Sequence, residues 1–128
     1  MRRISLLLGA AATAVVASLA TAPASSAGAA DTCVSGEFCL YSGTNQTGTL
    51  LWSGAGNLDH KVSGARSYKN LGTEYPGADH IYIDWYHYID GTKFTHNNTC
   101  VHYPPDTYKG NFHDYAYVTA ATWGGECP

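Results

Sequence analysis

Six histidines, His60, His80, His87, His96, His102 and His113, run through this 128-residue chain, with acids such as Asp79 and Asp114 beside them. Imidazole next to carboxylate is the chemistry of zinc ligation and of proton transfer. Zinc peptidases space their ligands as HExxH and structural zinc sites use Cys-x-x-Cys pairs. Neither spacing occurs here. No G-x-S-x-G nucleophile elbow and no phosphate loop occurs either. The histidines therefore read as surface residues. The sequence assigns no catalytic group, no metal and no cofactor, and argues against an enzyme.

Four cysteines, Cys33, Cys39, Cys100 and Cys127, are the other reactive set. In an exported chain they argue for two disulfides over a metal or redox site. Three pairings are open in principle. The favoured one joins Cys33 to Cys39 and Cys100 to Cys127, because Ser35-Gly36 supplies a turn between the first two. Loop-closure entropy gives roughly 2.5 kcal/mol for the short loop and roughly 3.5 kcal/mol for the long one. Asn45-Gln46-Thr47 and Asn97-Asn98-Thr99 also fit glycosylation sequons.

Export is read from the first thirty residues. Arg2 and Arg3 precede the apolar stretches Ile4–Leu8 and Ala10–Ala20, and small residues follow from Ser25 to Ala30. That order is a signal peptide, cleaved after Ala27, Ala29 or Ala30. The stretch is alanine-rich and interrupted by Thr13, Ser18 and Pro23, which argues against a membrane anchor. One domain remains over 31–128, expected as a secreted, extracellular monomer. Without Arg2 and Arg3, five Lys and Arg stand against ten Asp and Glu, a formal charge of −5. An acidic domain lacks the phosphate contacts that nucleic-acid binding needs. At this size a core alone is marginally stable, so cross-links matter.

No helical period follows residue 31. Short β-branched and aromatic runs alternate with Gly, Asn, Asp and Pro, which predicts an all-β domain, a small disulfide-stapled Greek-key sandwich. The predicted strands are Phe38–Ser42, Thr47–Ser53, Ala65–Lys69, His80–Ile89, Thr92–His96, Cys100–Tyr103 and Tyr115–Trp123. Asp90-Gly91 between two of them is a hairpin turn, since Gly accepts positive φ. In the longest run Ile81, Ile83 and Trp85 alternate with Tyr82, Asp84 and Tyr86, one apolar face and one amphipathic. Ten tyrosines, with Tyr82, Tyr86 and Tyr88 clustered, read first as fillers of half-buried strand positions and second as a binding surface.

Two segments together carry a resemblance. Cys33 through Gly48, with Tyr41 and Gly48 at crystallin-signature positions and Gln46 where the second aromatic belongs, resembles the opening of the secreted actinobacterial metalloproteinase inhibitors of the Streptomyces type. Ser63–Asn70 resembles the strand that ends that family's first Greek key, and Val118–Trp123 its counterpart in the second. The resemblance implies a βγ-crystallin-like fold and a partner that is an extracellular protease, a zinc metalloprotease of the thermolysin kind first. Thr99-Cys100-Val101-His102-Tyr103-Pro104 is similar to the family's reactive loop, which places the reactive bond between Cys100 and Val101. Thr99, His102, Tyr103, Pro104 and Pro105 then support the loop. By the same resemblance Val101 fills the apolar pocket after the scissile bond, and the inhibitor itself carries no metal.

A disulfide at Cys100 and the prolines beyond it would limit the loop's freedom, the preorganisation that separates inhibitor from substrate. The family's second Cys directly after the Pro is Pro105 here, so the loop is tied instead to Cys127. Crystallin-type calcium sites need carboxylate or amide oxygens where Val62 and Ser63 stand, which argues against calcium, with Asp59–Ser63 at most a shifted remnant. The alternative function is a crystallin-type binding or toxin-like module recognising a glycan or cell surface through the tyrosine-rich face. An exposed, convex Thr99–Pro104 loop would favour inhibition, and a buried one beside a flat row of tyrosine rings would favour the alternative.

Overall fold

Alternating apolar residues, glycine-bearing turns and the absence of a helical period produce six antiparallel strands: β1 (Phe38–Tyr41), β2 (Leu50–Gly54), β3 (Val62–Asn70), β4 (His80–Ile89), β5 (Thr92–Val101) and β6 (Lys109–Gly124). The computed structural model describes residues 32–128; the signal-peptide reading of residues 1–30 lies outside the described residues. The strands form a sheet in the order β2-β1-β3-β6-β4-β5. One 3-10 turn, Thr44–Gln46, is the only helical piece among the described residues, and none of these is a helix long and apolar enough to cross a membrane.

No helix among the described residues covers this sheet, yet Phe38, Leu40, Ile81, Ile83, Ala116 and Val118 are fully buried in one cluster with Leu58, Trp85, Val101 and Phe112. Strands at opposite ends of the order can share a covered core only if the sheet folds over on itself. Register irregularities of the kind that increase local twist fall between Ser63 and Ser67 in β3 and between Asp84 and Trp85 in β4. β6 links the two halves, pairing with β3 over its first part and with β4 over its second. Leu58, between β2 and β3, exchanges two backbone hydrogen bonds with Ala121 and closes the free side of β6.

The 3-10 turn folds back onto β3. Gln46, where the crystallin signature has an aromatic, donates its side-chain amide to the Tyr68 and Gly110 carbonyls at 3.1 and 3.3 Å, and its backbone N–H to Ser67 Oγ at 2.9 Å. Ser67 in turn donates to the Gly43 carbonyl at 2.6 Å. The segments 33–48 and 63–70, singled out separately in the sequence, therefore pack on each other.

β4 spans His80–Ile89, with Ile81, Ile83, Trp85 and His87 buried on one face. Asp90 and Gly91 both take positive φ, 49° and 79°, and form the tight turn into β5. Two expected strands, Thr92–His96 and Cys100–Tyr103, are one continuous strand ending at Val101. The Asn97-Asn98 pair reads as a turn in sequence, but Asn98 takes a φ of 55° within the strand and its N–H donates to Asp84 Oδ1 at 2.8 Å. β6 starts at Lys109, six residues earlier than its β-formers suggest, because Phe112 is anchored in the core while Asn111 and His113 on either side of it face outward. Cys33 is bonded to Cys39, and Cys100 to Cys127.

Candidate functional site

The Thr99–Pro105 segment begins inside β5. Thr99 faces Ile83, Cys100 faces Tyr82 and Val101 faces Ile81 in the antiparallel ladder. Thr99 Oγ1 accepts the Trp85 indole N–H at 3.0 Å. Val101 is 2% exposed and belongs to the core, so the Cys100–Val101 bond, expected in an exposed loop, lies in a strand with its apolar side chain turned inward. The chain leaves the sheet only at His102. Tyr103, Pro104, Pro105 and Asp106 then make a turn closed by the Asp106 N–H on the Tyr103 carbonyl at 3.2 Å, with a cis peptide between the prolines. His102, Tyr103 and Pro104 are half-buried and Pro105 is exposed. β5 is the last strand of the sheet, so its outer backbone edge is unpaired among the described strands and leads into this turn.

Three residues absent from the sequence-based site hold the turn. Asn70 ends β3 fully buried, and its amide nitrogen reaches the carbonyls of Asp79, Val101 and His102 at 3.0, 3.3 and 3.1 Å. Its Oδ1 accepts the Gly72 N–H at 2.8 Å. Gly72 is needed there: a Cβ would stand 2.9 Å from Asn70 Oδ1 and 3.0 Å from the Asp79 carbonyl. Asp79 and His80 are buried, with Asp79 Oδ1 2.6 Å from His80 Nδ1, and His80 Nε2 is 3.2 Å from His102 Nδ1. The His80 ring also packs edge-on against Tyr103 at 5.3 Å. An adjacent Asp-His pair is visible in sequence; Asn70 gave no signal, because the partners that tie it to the turn, Val101 and His102, are 31 and 32 residues away.

The C-terminal arm completes the frame. Cys127 fastens it to Cys100, and the Tyr82 hydroxyl lies 3.0 and 2.7 Å from the Gly125 and Glu126 carbonyls. Glu126 Oε2 is 3.7 Å from His80 Nε2. On the far side, Pro104 and Pro105 wall an open depression of about 510 Å3 with Ser35 and residues 71–74. Burial pushes the Tyr103 phenol upward, and the carboxylates of Glu74, Asp79, Glu126 and Asp106 add to it. Burial also works against the Asp79 carboxylate, but the Tyr75 N–H, at 3.0 Å from Oδ2, and the His80 ring outweigh it and hold the carboxyl below its usual range.

The tyrosine cluster is a separate surface. Tyr86 and Tyr117 stack at 4.9 Å, Tyr88 meets both edge-on, and Lys93 Nζ sits 4.0 Å over the Tyr86 ring. Tyr82 faces the C-terminal arm instead and does not join them.

Residues 26–78 match the family model of peptidase inhibitor family I36. No curated protein and no solved structure matches the chain. The matched stretch contains β1 to β3, the Cys33–Cys39 disulfide and Asn70, and stops short of β4 and of the Thr99–Pro105 segment.

Proposed function

We propose that the mature chain is a secreted, monomeric protein inhibitor of peptidases, with zinc metallopeptidases of the thermolysin kind as its targets. The observation that carries the inhibitor reading is the match to peptidase inhibitor family I36. The choice of a metallopeptidase rests on the resemblance of Thr99–Pro104 to a reactive loop. The same reading takes the self-covering sheet as a Greek-key sandwich of βγ-crystallin type, supported by the packing of segment 33–48 on segment 63–70.

In this reading β5 and the turn after it are offered as a substrate strand would be. The open edge of β5 supplies main-chain donors and acceptors for an extended pairing in the enzyme cleft. The turn beyond is already ordered by Asn70, by the Cys100–Cys127 disulfide and by two prolines with fixed φ, so docking costs little freedom. Cys100 and Val101 act as anchors and His102 to Pro105 as the contact. Drawing Val101 out of the core to fill a pocket would cost about 1.5–3 kcal/mol of apolar burial, which the turn residues do not incur.

A second reading, surface or glycan recognition by Tyr86, Tyr88, Tyr115 and Tyr117, is favoured by two observations: every residue of Thr99–Pro104 is buried or half-buried, and Tyr88 and Tyr115 are 46% and 58% exposed on the strands that carry Tyr86 and Tyr117. The two separate in one experiment, inhibition of a thermolysin-type peptidase by Tyr103→Ala, Pro105→Gly and Tyr88→Ala. The inhibitor reading expects the first two to weaken inhibition about tenfold or more and the third to leave it unchanged. Inhibition that survives Tyr103→Ala and Pro105→Gly removes this turn as the contact, loss on Tyr88→Ala moves the contact to the tyrosine face, and a folded wild-type chain that does not inhibit overturns the inhibitor reading in favour of the second.

A further inference from the structure

The two disulfides have different surroundings. Cys33 and Cys39 are 8% and 0% exposed and pack with Tyr41, Leu50 and Leu71, whereas Cys100, on the edge strand β5, and Cys127 are half-buried. An attacking thiol has access to the second pair and not to the first. The neighbours of the sulfurs differ as well. A nitrogen of His80, a nitrogen of His102 and Cys127 Sγ all lie within 4.8 Å of one another, while the group that close to Cys33 and Cys39 is the Glu37 carboxylate. The two rings share one N–H between His80 Nε2 and His102 Nδ1, 3.2 Å apart. Asp79 Oδ1 at 2.6 Å, Glu126 Oε2 at 3.7 Å and the Tyr103 ring, edge-on at 5.3 Å, are the other titratable groups facing His80. A hydrogen-bond donor beside a sulfur favours its thiolate, a carboxylate opposes it, and the better-stabilised thiolate leaves faster in exchange.

We propose that the half-buried Cys100–Cys127 disulfide is a thiol-exchange site for a small dithiol, with Cys127 as the leaving sulfur and the His80–His102 pair as its positioning residues. The reagent's thiolate attacks Cys100 Sγ and forms a new sulfur–sulfur bond there. The Cys100–Cys127 bond breaks with its electron pair on Cys127 Sγ, which takes up the proton of the ring pair, restored afterwards from water. The reagent's second thiolate then displaces Cys100. The products are two cysteine thiols and a cyclic disulfide, two electrons having passed from the dithiol to the chain. Opening the bond frees the segment that carries Glu126 and Cys127 from β5 and removes one of the ties on the turn that starts at His102, leaving Asn70 as the other. The exchange stands on the surroundings of the sulfurs alone. Its consequence, weaker inhibition by the opened chain, rests on the reading of that turn as the peptidase contact.

The test treats the folded, oxidised chain with limiting dithiothreitol, traps free thiols with iodoacetamide at intervals and maps them by peptide mass spectrometry. Cys100 and Cys127 should open about tenfold or more faster than Cys33 and Cys39. With the monothiol glutathione, the mixed disulfide should be found on Cys100 and the trapped thiol on Cys127, a result that needs no variant. His102→Gln should slow the opening about threefold or more, the opposite of the acceleration that mere loosening of the turn would bring. Cys33–Cys39 opening first or at the same rate overturns the proposal. So does glutathione on Cys127, or faster opening in His102→Gln. The chain opened and alkylated at Cys100 and Cys127 should inhibit a thermolysin-type peptidase about tenfold more weakly than the oxidised chain. Equal inhibition by both overturns the regulatory consequence, whereas an oxidised chain that does not inhibit strikes the inhibitor reading and leaves the mapped exchange to decide the site.

Discussion

The two ends of β4 use histidine in opposite ways. At its start, both ring nitrogens of His80 face polar partners, Asp79 on one side and His102 on the other. At its far end His87 is 4% exposed and is packed by rings: Trp85, Phe94, His96 and His113 lie at 5.1–5.5 Å from it in near-parallel stacks. There His87 Nδ1 and His96 Nε2 are buried without a hydrogen-bond partner among the described residues. The same side chain on the same strand is thus a polar connector in one place and an aromatic filler in the other. What decides is the neighbour: a carboxylate one residue away at His80, only aromatic faces at His87.

The largest effect should come from cutting the disulfide that frames the first end. Replacing Cys100 and Cys127 together by Ser should cost about 3.5 kcal/mol in denaturant unfolding. In hydrogen exchange it should expose the amides of residues 100–106 and leave those around His87 protected, because the stack contains no part of the cross-link. Equal loosening of both ends would erase the contrast between them.

Asn70→Ala should follow, at about 1–3 kcal/mol, since it strands buried carbonyls of Asp79, Val101 and His102. Inhibition should weaken in the same variant, because the turn loses its brace while its contact residues remain. A variant that is destabilised but inhibits with unchanged affinity would separate the brace from the docking segment.

A smaller, pH-dependent effect belongs to the other end. Burial holds the His87 ring below its ordinary range, the neighbouring His96 and His113 push in the same direction, and Asp114 opposes them. Above about pH 6.5 the ring is neutral in both folded and unfolded chains. Below it the unfolded chain takes up a proton that the folded one resists, so stability falls as pH drops from about 6.5 toward the folded value. Thermal unfolding from pH 7.5 to 5 should show this loss, and His87→Phe should reduce it. An unchanged slope in that variant would assign the acid sensitivity elsewhere. Tyr88→Ala should matter least, within about 0.5 kcal/mol, since the residue is 46% exposed and lies outside the core cluster.

Much of the architecture was legible because local rules decide it. Asp90-Gly91 can only turn, Ile81, Ile83 and Trp85 can only face a core, and Cys33 and Cys39 flank a glycine turn. What escaped depended on distant partners. Asn97-Asn98 looks like a break until Asp84 supplies an acceptor across the ladder. Val101 falls both in an expected strand and in a segment that resembles a reactive loop, and Ile81 opposite it decides for the strand. His102 looks like a surface histidine until the pairing of β4 with β5 brings His80 to it. The sequence singled out Thr99–Pro105 as one segment, but its anchored and presented halves could not be told apart without the sheet.

The inhibitor reading is tested most directly by active-site titration of a thermolysin-type metallopeptidase with the purified mature chain. Residual activity should fall linearly to a floor as the chain approaches equimolar, and the chain should be recovered intact. Full activity in the presence of excess folded chain, or steady cleavage of the chain as a substrate, would contradict it.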